Sequence, residues 1–165
     1  MVKKSVTLLI MFFALLLSFS ACSAVRYNAE FYKDAEAWLN EDFIEQNRTA
    51  FAFYGDDYSQ QTDGSLPKSR FFVIDDASKT EPVFNDSFDL DIDFGSDMLV
   101  LYTFTSSANQ SDTYLKSVKL SDGLLSIEYA YPVKCGIGGA TMPFQHWFLV
   151  KMDKFEVNSI EFSED

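Results

Sequence analysis

The second half of the chain carries the clearest pattern of β strands. Residues 97–104 form a nearly continuous apolar run, which is typical of a strand buried on both faces. Residues 114–120 and 125–131 instead alternate apolar and polar side chains, which predicts strands with one buried face. Ser121-Asp122-Gly123 separates them, and Asp-Gly tolerates the positive φ angles of a tight turn. The pattern therefore predicts a β hairpin.

Shorter runs predict most of the remaining elements. Apolar segments bounded by polar clusters predict strands at residues 50–54, 70–75, 143–152 and 156–162. Residues 55–69 are rich in polar side chains and predict a loop. Ser78-x-x-Glu81 has the form of a capping box, which predicts a short helix within residues 76–87.

Residues 28–46 show a helical period. Their apolar residues recur at steps of three and four, which places them on one helix face: Phe31, Ala35, Trp38, Leu39 and Phe43. We therefore predict an α+β fold, in which a mainly antiparallel β sheet or sandwich packs against this N-terminal amphipathic helix. A single domain is expected over residues 29–165, because the sequence shows no internal repeat or second domain.

The start of the chain has the form of an export signal. Lys3 and Lys4 precede an apolar run over residues 6–17, and small residues follow it. A transmembrane helix needs about 20 apolar residues, and this run is shorter. The pattern therefore predicts that residues 1–21 are removed.

Ser20-Ala21-Cys22 resembles the lipobox of bacterial lipoproteins, with Phe19 where that motif usually has leucine. The resemblance implies that Cys22 receives diacylglycerol and anchors the protein to the membrane, with residues 22–28 as a tether. Acyl chains contribute about 0.8 kcal/mol per buried CH₂, so such an anchor is firm. The alternative is an ordinary secretory signal in which Cys22 has no role.

The net charge and the cysteine content limit which partners and which stabilising bonds are expected. The net charge is −12, and removal of the two signal lysines takes it to −14. Such a surface repels phosphate backbones, so no nucleic-acid partner is expected. If Cys22 is lipidated, Cys135 has no intramolecular disulfide partner. The core then depends on apolar burial, for which the chain is rich in aromatic residues: it has 17 Phe, of which three lie within residues 1–21, 8 Tyr and 2 Trp.

Cys135 and His146 resemble a thiol nucleophile and its base, which would have to lie within hydrogen-bond reach of each other. No protease-type motif surrounds either residue, and the glycines after Cys135 lack the spacing of a phosphate cradle. A small buried cysteine and a half-exposed strand histidine explain the two residues more simply. We therefore expect no catalysis, and a thiol-dependent enzyme is the alternative.

Asp89, Asp91 and Asp93 place a carboxylate at every second residue, which suggests a calcium site. Neither register that begins at Asp89 or Asp91 supplies the glycine and glutamate that an EF-hand loop needs at its sixth and twelfth positions. The acids alternate with apolar residues, which favours a half-buried strand with its carboxylates in water. We therefore expect no metal and no other cofactor, and a carboxylate-dependent enzyme is the alternative.

From about residue 70 onward the layout resembles uncharacterised lipoproteins of Gram-positive bacteria. The segments that carry this resemblance are Asp93-Phe94, residues 98–106 and residues 143–151. The last two also resemble the C-terminal domain of PrcB-type protease-complex subunits, in which a proline opens a strand of the form Pro-aromatic-x-x-apolar. That resemblance implies a small β domain that binds or stabilises partner proteins without catalysis of its own.

The sequence therefore favours a non-catalytic binding or accessory domain on the extracytoplasmic face of the cell membrane. Its expected partners are the membrane, through the lipid anchor on Cys22, and a second protein. A carbohydrate-binding module is a further alternative, because Trp147 lies in a predicted strand and would have to be solvent-facing to stack on a sugar.

Overall fold

The computed structural model describes residues 25–50, 66–106, 112–130 and 144–164. The strands are β1 (Val25–Arg26), β2 (Ala29–Tyr32), β3 (Ser69–Ile74), β4 (Asp97–Ser106), β5 (Tyr114–Ser121), β6 (Leu124–Ala130), β7 (Phe144–Asp153) and β8 (Ser159–Glu164). Within these ranges the helices are α1 (Glu41–Gln46) and two 3₁₀ helices, the first at Ala35–Trp38 and the second at Ala77–Lys79.

These strands form two four-stranded sheets. One sheet, which we call the middle sheet, has the order β2-β7-β4-β3 and is antiparallel throughout. The other, which we call the outer sheet, has the order β1-β5-β6-β8, in which β8 joins β6 in parallel and the other pairs are antiparallel. The expectation of a β-rich fold built mainly from antiparallel strands is confirmed.

The first core lies between the two sheets. Met98 and Met152 of the middle sheet pack with Leu125 of the outer sheet, at the end of the sandwich that carries the β5–β6 turn. Phe104, Phe148 and Tyr129 form an aromatic cluster at the opposite end. We call these two ends the turn end and the far end. Strands of both sheets run between them, so the sandwich has one long axis.

A second core lies on the other face of the middle sheet. There, Leu99, Leu101 and Leu149 are fully buried beneath the helices and the irregular segment over residues 80–96. Because β4 contributes to both cores, it is buried on both faces, as its continuous apolar run predicts. One face of the outer sheet is instead exposed to solvent, as the alternation of apolar and polar residues along its strands predicts.

The predicted hairpin is confirmed. Asp122 has φ 51° and Gly123 has φ 78°, which are the left-handed angles that a two-residue turn between twisted strands requires. Ser121 pairs with Leu124 on either side of this turn. The strand expected over residues 50–54 lies almost wholly outside the described residues.

The prediction of one amphipathic helix over residues 28–46 was wrong. That segment contains β2, the first 3₁₀ helix and the six-residue α1. Ala29 and Phe31 face the core between the sheets, so the period at the start of the segment is two. Pairing with β7 satisfies the β2 backbone groups on one side of that strand, and Ala35 and Leu39 then pack on the opposite face of the same sheet. Tertiary packing thus overrides the helical spacing.

The structure also corrects two smaller predictions, one on the cap of a short helix and one on the tether. Asp76 caps the second 3₁₀ helix through a hydrogen bond from the Ser78 backbone N–H at 2.8 Å, so Ser78 is not the cap. Val25 and Arg26 lie inside the range 22–28 expected as a tether, yet they form β1, which pairs with β5. The Tyr27 ring lies 4.8 Å from that of Phe155.

Candidate functional site

The edge of β7 is only half covered by β2. Ala29–Tyr32 pairs with Met152–Leu149, but β7 continues for five more residues to Phe144. Within the described part of the chain, residues 144–148 have a strand neighbour on the β4 side alone. Successive residues of an antiparallel strand direct their backbone N–H and C=O groups to opposite edges. Every second residue of this segment therefore directs its backbone groups away from β4, toward the side on which β2 ends.

A groove of about 600 Å³ lies along this uncovered edge, and we call it the β7 groove. Gln145, His146 and Trp147 form one side of it. The first 3₁₀ helix, which contributes Glu36 and Ala37, forms the other. The groove exists because the chain leaves the sheet after Tyr32 and bends into that helix.

The wall of the groove is anchored to the rest of the domain. The Asn85 side-chain amide donates hydrogen bonds to the carbonyls of Ala37 at 3.1 Å and Leu39 at 2.9 Å. Leu39 also forms an isolated β bridge with Phe84. These bonds hold the first 3₁₀ helix in place, so the groove is a built feature of the fold.

The groove is acidic on balance. Its charged lining consists of Asp34, Glu36 and Glu41 against Lys33. Glu36 is largely exposed, yet desolvation at its carboxyl group raises its pKa. A cation close to Glu36 would favour its ionised form, and three carboxylates against one lysine favour a basic or neutral ligand over an acidic one.

Beneath the groove, a row of polar side chains fixes the start of β7. Gln145 Nε2 donates hydrogen bonds to Thr103 Oγ1 at 2.8 Å and to the carbonyl of Asn47 at 3.0 Å. The hydroxyl groups of Thr49 and Thr105 lie 2.6 Å apart. The segment after α1 is thereby tied to the middle sheet, and the edge beside the groove is held rigid.

Trp147 is nearly fully buried, and its Nε1–H has no acceptor among the described residues. Its ring packs against Phe43 with centroids 5.9 Å apart. A buried donor without a partner costs about 1–3 kcal/mol. Since Trp147 lies within the second core, a solvent-facing role in sugar stacking does not fit it.

His146 faces the core between the sheets. Its Nε2 lies 3.2 Å from the Ser106 carbonyl, and its ring centroid lies 5.3 Å from that of Phe104. Burial lowers its pKa, although the Ser106 carbonyl and Asp34 oppose this shift. Cys135, the proposed nucleophile partner, lies outside the described residues, so the pair is not tested.

Asp89, Asp91 and Asp93 are exposed and alternate with the half-buried Leu90 and Ile92, as expected. The predicted strand is absent, because this segment crosses the outer face of the second core without pairing to a strand. Asp93 uses its carboxylate locally: Oδ1 accepts from the Gly95 N–H at 2.9 Å and Oδ2 from the Ser96 hydroxyl at 3.3 Å.

Among the described residues, no group of three or more potential metal ligands comes together. Across the same residues, no helix has the length and apolar character to span a membrane. Cys22 precedes the first described residue, so its lipidation is still a prediction.

Comparison with known proteins found no match. No family model matches the chain, and neither a curated protein nor a solved structure is significantly similar to it. The resemblance to PrcB-type domains is therefore still a prediction from the sequence segments that carry it.

Proposed function

We propose that this chain is a lipid-anchored, non-catalytic binding domain outside the cytoplasm, and that it binds an extended polypeptide segment in the β7 groove. The observation that carries the proposal is the uncovered half of the β7 edge, which lines a groove large enough for a peptide strand. Strand addition to a free sheet edge is a recurrent mode of peptide binding, in which backbone hydrogen bonds supply affinity.

The surroundings of the edge support this mode. A bound segment would continue the line of β2 along β7, beyond the point where β2 ends. Asp34, Glu36 and Glu41 favour lysine or arginine side chains on that segment. The anchor on Cys22 is argued from the sequence, and the high acidic charge accords with a protein that binds neither nucleic acid nor anionic lipid directly.

The experiment uses the mature chain with Cys22→Ser, which keeps it in solution. The probes are two N-acetylated hexapeptides, one of alternating valine and lysine and one of alternating valine and glutamate. We expect the lysine peptide to bind at least tenfold more tightly. It should slow amide hydrogen exchange at alternate residues of 144–148 and leave residues 149–152, which β2 already covers, unchanged.

A matched pair of variants locates the site. Ala37 and Ala77 are both exposed alanines of 3₁₀ helices, but only Ala37 lines the groove. Ala37→Trp should abolish binding of the lysine peptide, whereas Ala77→Trp should leave it unchanged. Equal binding by both variants, or no exchange protection at residues 144–148, would rule out this site.

A further inference from the structure

The position of β1 determines where a lipid on Cys22 is attached to the domain. Val25 pairs with Leu120, and Arg26 pairs with Lys119. The Tyr27 N–H donates to the Val118 carbonyl at 3.1 Å, so the chain is held against β5 from Val25 onward. Because β1 and β5 are antiparallel and β5 ends at the Asp122-Gly123 turn, the chain enters the sandwich at its turn end.

The connection to the anchor is too short to reach elsewhere. Only Ser23 and Ala24 separate Cys22 from β1. Three residue steps span at most about 11 Å, since a fully extended chain covers about 3.3–3.6 Å per residue. The sandwich is much longer: the ten residues of β7 rise about 30 Å from Phe144 at the far end to Asp153 at the turn end.

We propose that the turn end rests against the lipid surface and that the far end, with the β7 groove, points into the aqueous phase. This inference rests on the lipid anchor of the proposed function. The acidic groups at the turn end include Asp97, Asp122 and Asp153, so this end contacts headgroups without inserting. The short connection between Cys22 and β1, rather than electrostatic attraction, keeps the domain at the membrane.

Exposed aromatic side chains favour the opposite orientation, with the far end on the lipid, but the short tether excludes it. The large hydrophobic side chains most exposed among the described residues are Phe71, Tyr114 and Phe144, at 48%, 52% and 46%. All three lie toward the far end, near the starts of their strands. Aromatic side chains favour the membrane interface, so on their own they would turn this end toward the lipid. A tether of about 11 Å keeps the turn end at the membrane and so excludes the reversed orientation, because the anchor emerges about 30 Å from the far end.

The test uses the lipidated protein in vesicles of phosphatidylcholine and phosphatidylglycerol. Cys135→Ser removes the second thiol, and a fluorescent label is then placed through Asp153→Cys or Phe144→Cys. Both positions are exposed and lie at opposite ends of β7. A spin-labelled lipid headgroup serves as the quencher. We expect the label at position 153 to be quenched severalfold more strongly than the label at position 144.

Insertion of about 12 Gly and Ser residues between Ala24 and Val25 should greatly reduce the difference, because such a linker has a root-mean-square reach of about 20 Å. Equal or reversed quenching in the protein without the insertion would overturn the orientation while leaving the anchor intact. Failure of the protein to float with vesicles would overturn both the anchor and the orientation. Peptide binding in the groove is measured without a membrane, so it can succeed or fail independently.

Discussion

The rings of Tyr102 and Phe162 stack face to face across the two sheets, with centroids 4.0 Å apart and ring planes within 3° of parallel. Tyr102 belongs to β4 of the middle sheet, and Phe162 belongs to β8, the edge strand of the outer sheet. β8 joins its sheet through a parallel pairing with β6 alone among the described strands. This stack therefore adds a contact between the sheets to the pairing with β6 that holds β8 on the sandwich.

Phe162→Ala should destabilise the domain. Truncation of a fully buried phenylalanine costs 3–5 kcal/mol, and Phe162 is half-buried, so we expect a loss of about 2 kcal/mol in the free energy of unfolding. Urea denaturation would measure it. Ser163→Ala, at an exposed neighbouring position, should change the free energy by less than about 0.5 kcal/mol. A similar effect of both substitutions would mean that the stack contributes nothing specific.

Gly123→Ala should destabilise the β5–β6 hairpin for two separable reasons. Gly123 has φ 78°, and a Cβ there would clash with the Asn158 side-chain amide. We expect a loss of about 1–3 kcal/mol in the free energy of unfolding, since alanine at positive φ is strained even without a clash. The double variant Gly123→Ala/Asn158→Ala should recover part of this loss relative to Asn158→Ala alone. Full recovery would show that backbone strain is negligible.

His146 should make the stability depend on pH. Burial lowers its pKa below 6.5, so the unfolded chain binds a proton more readily than the folded one. This contribution to stability is fully present above about pH 6.5, the value expected for the unfolded chain, and is lost as the pH falls from there through the folded-state pKa. His146 is the only histidine of the chain, so an NMR titration of its ring protons would measure the midpoint directly. A midpoint at or above 6.5 would contradict this prediction. His146→Gln should remove the pH dependence in this window.

Trp147→Phe should be almost neutral for stability. Phenylalanine loses buried ring area, but the substitution also removes an N–H that lacks an acceptor in the described structure. The lost burial destabilises the domain and the removal of the N–H stabilises it, by about 1–3 kcal/mol each. We therefore expect the free energy of unfolding to change by no more than about 1 kcal/mol. Leu149→Ala, two residues along the same face of β7, should cost about 3 kcal/mol and serves as the comparison. A large loss in Trp147→Phe would imply that the N–H has a partner.

Cys22→Ser should release the protein from membranes into the soluble fraction, because an unmodified serine carries no acyl chains. Cys135→Ser is the matched control and should leave the protein in the membrane fraction, as measured by immunoblotting after fractionation. Membrane retention of the Cys22→Ser variant would contradict the lipoprotein assignment. Release of both variants would point to an effect of cysteine loss other than lipidation.

Elements whose pattern follows from local chemistry could be predicted from the amino-acid sequence. The continuous apolar run of β4 requires burial on both faces, and Asp122-Gly123 supplies the two positive φ angles of the hairpin. The alternation around Asp91 also predicted which side chains face water, although the predicted strand does not form there.

The remaining features depend on contacts between segments that are distant in the sequence. Phe31, Ala35 and Leu39 have helical spacing, but β7 offers the chain from Ala29 to Tyr32 a sheet edge, and both faces of that sheet then take up apolar side chains. The β7 groove could not be predicted for the same reason. It lies where β2 stops short of the end of its partner, and the length of a pairing between distant segments is set by the packing of both cores rather than by the pattern of either strand.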